Sequence, residues 1–96
     1  PEEALELMKE YMDEDFLYRK IANEIKVEIC NLLEKDIQII DDAPINIYDI
    51  DSLLYIELII KLEENYNCTF LSNLIVTDQL NTVRKITMYI MGEING

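Results

Sequence analysis

The stretch Asp49-Ile50-Asp51-Ser52-Leu53 sets one hydroxyl between carboxylates and a strongly apolar helical pattern. A serine nucleophile needs a base to take its proton, most often histidine, and this chain has none. The GxSxG turn that exposes a hydrolase serine is also missing. Asp49 and Asp51 have the residue type of an acid/base pair, but neighbouring loop carboxylates are more often solvated caps. Two readings of Ser52 are left. Serine and aspartate both favour the N-cap of a helix, so either Asp51 or Ser52 fits that role. Alternatively, Ser52 is the substrate of another enzyme. A helix N-terminus accommodates a phosphate joined to such a hydroxyl, because unpaired amides and the helix dipole point at it.

No other residue set competes for chemistry. Cys30 and Cys68 form neither a CxxC pair nor a metal-ligand cluster, so two unpaired thiols in a cytoplasmic protein are expected. The formal net charge is −12, from 20 acids against 8 bases, which is the wrong balance for a nucleic-acid binder. That charge favours solubility and steering toward basic protein surfaces. Half of the residues are hydrophobic, which excludes a disordered acidic tail. The apolar runs are too short and too often broken to span a bilayer, and no signal segment is expected at the N-terminus.

Ninety-six residues make one small domain with a single core. In residues 2–13, Leu5, Met8 and Met12 recur at helical spacing. The first 16 residues carry seven acids and one lysine, and the run Asp13-Glu14-Asp15 suits the start of a helix. From Tyr18, the residues Ile21, Ile25, Ile29 and Leu32 continue one face of a helix expected to end near Lys35 and Asp36. Pro44 then interrupts helical geometry. Residues 36–51 read as a loop pinned by Ile37, Ile39, Ile45 and Ile47, since no second strand exists to pair with them. A second helix is predicted from Ser52 to Asn65, and a turn at Asn67, Cys68 and Thr69. Ser72 is the expected cap of a short piece over 73–79. Asn81 or Thr82 is the expected cap of a last helix with Val83, Ile86 and Ile90 on one face.

The second helix has two apolar faces. At 100° per residue, Tyr55, Leu58, Ile59, Leu62 and Tyr66 cluster on the core side. Leu53, Ile56 and Ile60 fall opposite, among Glu57, Glu63 and Glu64. Three aliphatics ringed by carboxylates suit a transient docking surface. A larger core, or the N-terminal segment, would also account for them.

The segment "IDSLLYIELIIKLEENYNCTF" resembles the acyl carrier proteins and thiolation domains, with their Asp-Ser-Leu signature and the helix that follows it. Ser52 matches the serine that receives the phosphopantetheine arm, and Asp51 and Leu53 match its flanking residues. Glu57, Leu58, Glu63, Glu64 and Tyr66 match the acids, leucine and aromatic downstream, and Ile56 and Ile60 match exposed apolar contacts. Thr82, Val83, Ile86, Tyr89 and Ile90 resemble the closing helix, so the likeness runs from about Tyr18 to Ile94. The sequence departs at three places. Asp49 stands where the family has glycine, Leu54 replaces an acid, and "LSNLIVTDQ" replaces an acidic third helix.

The resemblance implies an all-α fold, a small three- to four-helix bundle of acyl-carrier type with room for an extra N-terminal helix. It divides the chain into an acidic segment, 1–16, and a carrier domain, 17–96. It further implies a non-enzyme, a monomer that holds an acyl or aminoacyl thioester on a 4′-phosphopantetheine arm at Ser52. The arm comes from coenzyme A through a phosphopantetheinyl transferase. Loading enzymes and downstream synthase, condensing or tailoring enzymes would meet Leu53, Ile56, Glu57, Ile60, Glu63 and Glu64. The competing reading is an unmodified acidic helical adaptor that binds a basic protein through the outer face of residues 53–64.

Overall fold

The computed structural model describes residues 2–95, with side-chain surroundings for residues 14–94. Four helices follow one another: α1 (Glu2–Leu33), α2 (Ser52–Tyr66), α3 (Ser72–Val76) and α4 (Val83–Asn95). The described residues contain no strand, and one isolated antiparallel bridge joins Pro44 to Thr82. The fold is therefore the small all-α bundle of acyl-carrier type. The two N-terminal helical patterns run on as one helix. The stripe expected at Leu5, Met8 and Met12 lies outside the residues whose side-chain surroundings are described.

The core is a seam of aliphatics at helical spacing. Ile21, Ile25 and Ile29 of α1 meet Leu58, Ile59 and Leu62 of α2 and Val83, Ile86 and Ile90 of α4, all buried. Each such side chain contributes about 1.5–3 kcal/mol by leaving water. Thr87, fully buried in the same seam, donates its hydroxyl to the Val83 carbonyl at 2.7 Å and leaves no polar atom unpaired.

The ends of the helices differ in detail from the sequence expectation. α1 stops at Leu33, before Lys35, because Glu34 takes a left-handed conformation (φ 56°). The Lys35 amide then bonds the Cys30 carbonyl at 3.1 Å and the Glu34 amide bonds Asn31 at 3.2 Å, the paired closure of a Schellman motif. Ser72 is the first residue of α3, not its cap: Leu71 holds the N-cap position without a side-chain bond, and α3 ends at Val76. Thr82 caps α4, accepting from the Lys85 amide at 3.1 Å. Of the loop isoleucines, Ile39 and Ile45 are buried, Ile37 is half-buried, and Ile47 is exposed within a short 3₁₀ turn, Ile45–Tyr48. Cys30 is half-buried, with its thiol donating to the Ile37 carbonyl at 3.4 Å.

The long loop does not float. The Ile45 amide donates to the Asn81 carbonyl at 2.8 Å, and the Arg84 amide to the Asp41 carbonyl at 3.0 Å. The Ile40 amide donates to the Tyr48 hydroxyl at 2.9 Å. These bonds fix the loop on the start of α4 and so fix where it enters α2.

Candidate functional site

Asp51 and Ser52 stand at that entry point. Asp51 is the N-cap of α2: its backbone is extended (φ −78°, ψ 179°) and its carboxylate accepts the Leu54 amide at 2.8 Å. Ser52 is then the first helical residue, and its side chain is exposed. The carboxylate beside it holds the Leu54 amide through one oxygen. The first turn of α2 contains no acid, so the capping carboxylate of Asp51 is the charge that faces the positive end of the helix dipole.

Asp49 explains one departure from the carrier pattern. It sits in the left-handed region (φ 65°, ψ 25°) and ends the 3₁₀ turn just before Ile50 is buried at 4% exposure. Glycine occupies such a conformation without strain, and aspartate is among the few other residues that tolerate it. The backbone shape that a glycine would supply is thus kept.

Beside Ser52 lies a cleft of about 470 Å³. Ile45, Ile50 and Tyr55 line its inner side, Ile56 one rim, and Ile75 and Val76 of α3 the other. Asn46, Asp78 and Asn81 add polar atoms at its edge. The Tyr55 hydroxyl donates to the Leu80 carbonyl at 2.6 Å, which ties α2 to the segment before α4. Burial, and then the nearby Asp78 carboxylate, push the Tyr55 phenol up to about 12, so it stays a neutral donor.

The outer face of α2 is open. Leu53, Ile56 and Ile60 are all exposed, as are Glu57 and Glu64, so the core formed by the described residues does not cover them. Glu63 is different. It is half-buried and its carboxylate accepts the Phe70 amide at 2.9 Å, holding the turn after α2. Asn67 in that turn is left-handed (φ 50°), and its amide closes on the Glu63 carbonyl. On the core side Tyr66 is only half-buried, and its hydroxyl donates to Glu24 of α1.

Sequence reasoning did not single out Asn46, Ile75, Val76 or Asp78 as neighbours of Ser52. One signal was present: from Asn65 to Thr77 no residue is charged, in a chain that is 29% charged overall. Cys68 lies in the turn as expected. Burial, then Glu93 and Glu63, raise its thiol above the ordinary range and make it a poorer nucleophile at neutral pH. The described residues contain no cluster able to hold a metal ion. None of their helices is long and apolar enough to cross a membrane.

A family model described as a phosphopantetheine attachment site matches residues 23–90. The chain belongs to this phosphopantetheine-binding carrier family. No curated protein and no solved structure gives a significant match. The family carries a covalently attached 4′-phosphopantetheine, and its domains are themselves non-catalytic carriers that meet a phosphopantetheinyl transferase and synthase enzymes. The local structure fits such an arm. An exposed hydroxyl at the start of a 15-residue helix gives it a place of attachment near unpaired amides. The adjacent apolar cleft lies within reach of its flexible chain.

Proposed function

We propose that this carrier domain holds an acyl or aminoacyl group as a thioester on a 4′-phosphopantetheine arm at Ser52 and presents it to partner enzymes. The single observation that supports this most is the exposure of Ser52 at the capped start of α2, inside a segment matched to phosphopantetheine attachment. In the loading step a transferase removes the proton of the Ser52 hydroxyl, whose oxygen attacks phosphorus in the pyrophosphate of coenzyme A. The new bond is a phosphodiester, and the nucleotide part of coenzyme A leaves. The chain supplies position, not catalysis. Asp51 fixes the helix start by its bond to the Leu54 amide, and the loop bonds to Asn81 and from Arg84 hold that start in place. The arm supplies a terminal thiol for the thioester.

Tethering raises the local concentration of cargo at each partner's active site. Docking has to be weak and reversible, which a small patch of Leu53, Ile56 and Ile60 with Glu57 and Glu64 suits better than a large dry interface. Glu63 contributes less to this patch than the other acids, because its carboxylate already holds Phe70. Incubating the purified chain with coenzyme A and a broad-specificity transferase tests the reading, and a gain of one arm in intact mass is expected. An unmodified adaptor gains nothing.

A further inference from the structure

Asp78 carries a charge that its own turn does not need. It follows α3 in the left-handed region (φ 59°), where its amide closes on the Ile75 carbonyl at 3.2 Å and the Gln79 amide on the Leu74 carbonyl at 3.0 Å. Glycine or asparagine makes such a turn as well, and an acid at the C-terminal end of a helix faces the negative end of its dipole. In a chain of net charge −12, one more exposed carboxylate also adds repulsion. What Asp78 does meet is the cleft. It lines it with Ser52, and its charge acts on the phenol of Tyr55 in the same lining. Asp51 is a second carboxylate there, with one oxygen on the Leu54 amide, and neither lysine nor arginine lines the cleft. The floor beneath is apolar, with Ile45 and Ile50 buried and Ile75 half-buried.

A group carried on an arm at Ser52 is tethered at the mouth of this cleft. An aliphatic chain gains by leaving water against the isoleucine floor whatever else it bears. A charge beside that chain then meets the carboxylate rim, which attracts a cation and repels an anion. We infer that Asp78 makes this carrier selective for the charge of its cargo: an aliphatic aminoacyl group is held in the cleft with its ammonium toward Asp78, and an acyl group bearing a free carboxylate is turned out. A surface pairing of this kind changes occupancy only by a few fold, and the tether makes so small a preference count. This inference rests on the reading that Ser52 receives the arm.

Three cargoes of one shape test it: leucyl, isocaproyl and isobutylmalonyl, which carry an ammonium, a hydrogen or a carboxylate on the same carbon. Each is joined to the arm by an amide in place of the thioester, attached from its coenzyme A analogue by a broad-specificity transferase, and confirmed by intact mass. Backbone amide NMR shifts of Ile45, Ile75 and Val76, relative to the arm without cargo, read occupancy of the cleft. At about pH 6.5 the α-amino group is cationic, and the expected order is leucyl, then isocaproyl, with isobutylmalonyl close to the bare arm. Asp78→Asn keeps the shape and tolerates the left-handed backbone. It is expected to lower leucyl occupancy by about threefold, raise that of isobutylmalonyl and leave isocaproyl unchanged. Opposite changes for the two charges are a result that a merely structural role would not produce, and thermal unfolding should not shift. Equal shifts for leucyl and isobutylmalonyl in the wild type, or an unchanged order in Asp78→Asn, would overturn the proposal while leaving Ser52 as the attachment site. A wild-type chain that gains no arm at all would remove the underlying reading and the proposal with it.

Discussion

Asp51 and Ser52 divide the work at the start of α2, and their substitutions should differ accordingly. Asp51→Ala removes the acceptor for the Leu54 amide and should cost about 1 kcal/mol in urea denaturation. Ser52→Ala removes an exposed hydroxyl that is not the cap, and its effect should stay within about 0.5 kcal/mol. A larger loss from Ser52→Ala than from Asp51→Ala would contradict the cap assignment. From sequence alone both residues fitted the cap, because cap preference is shared by serine and aspartate. Only the backbone geometry decides between them. Asp49 carries a similar lesson. Its left-handed φ makes a β-branched residue unsuitable, so Asp49→Val should destabilise by about 1–2 kcal/mol, whereas Asp49→Gly should be tolerated.

The two faces of α2 were readable from periodicity, since Leu58, Ile59 and Leu62 recur at helical spacing and are the residues the bundle buries. The outer face was readable as well, although its acids were not equivalent: the turn bond from Phe70 to Glu63 depends on a loop whose path periodicity does not describe. On that face, Glu57→Lys should slow association with a partner at low salt and lose its effect as salt rises. Ile56→Ala should weaken binding at both salt levels. Neither change should lower thermal stability, because both side chains are exposed. Stopped-flow binding to the transferase at two ionic strengths separates them. The end of α1 was less legible. Glutamate gives no warning of a left-handed stop, which glycine would have given. Glu34→Gly should therefore stabilise the chain by about 0.5–1 kcal/mol, measured by chemical denaturation.

Across the whole molecule, one polar network ties the bundle to the loop that carries the site. Asp41 accepts from Tyr18 at 2.6 Å and pairs with Lys26 at 2.5 Å, both on α1. Arg84 of α4 donates its amide to the Asp41 carbonyl, reaches Asp42 at 2.5 Å, and lies 5.4 Å from the centre of the Tyr18 ring. These residues come from α1, the loop and α4, three segments with no period in common, so no pattern announced this cluster. Burial alone would raise the Asp41 carboxyl. The bonds from Lys26 and Tyr18, with the charges of Lys26 and Arg84, outweigh burial and hold it below the ordinary carboxylate range. A folded-state value below the unfolded one means the stabilisation is complete above about pH 4 and is lost as pH falls through the folded value. Asp41→Asn should cost about 2 kcal/mol near neutrality, and its gap from the wild type should close as the solution is acidified below pH ~4. A gap that stays constant down the acid limb would place the network's contribution elsewhere. The central claim, however, concerns Ser52. Intact mass spectrometry of the wild type and of Ser52→Ala, each incubated with coenzyme A and a phosphopantetheinyl transferase, tests it most directly. One added phosphopantetheinyl group on the wild type and none on the variant is the predicted result, and an arm on Ser52→Ala, or none on either chain, would contradict it.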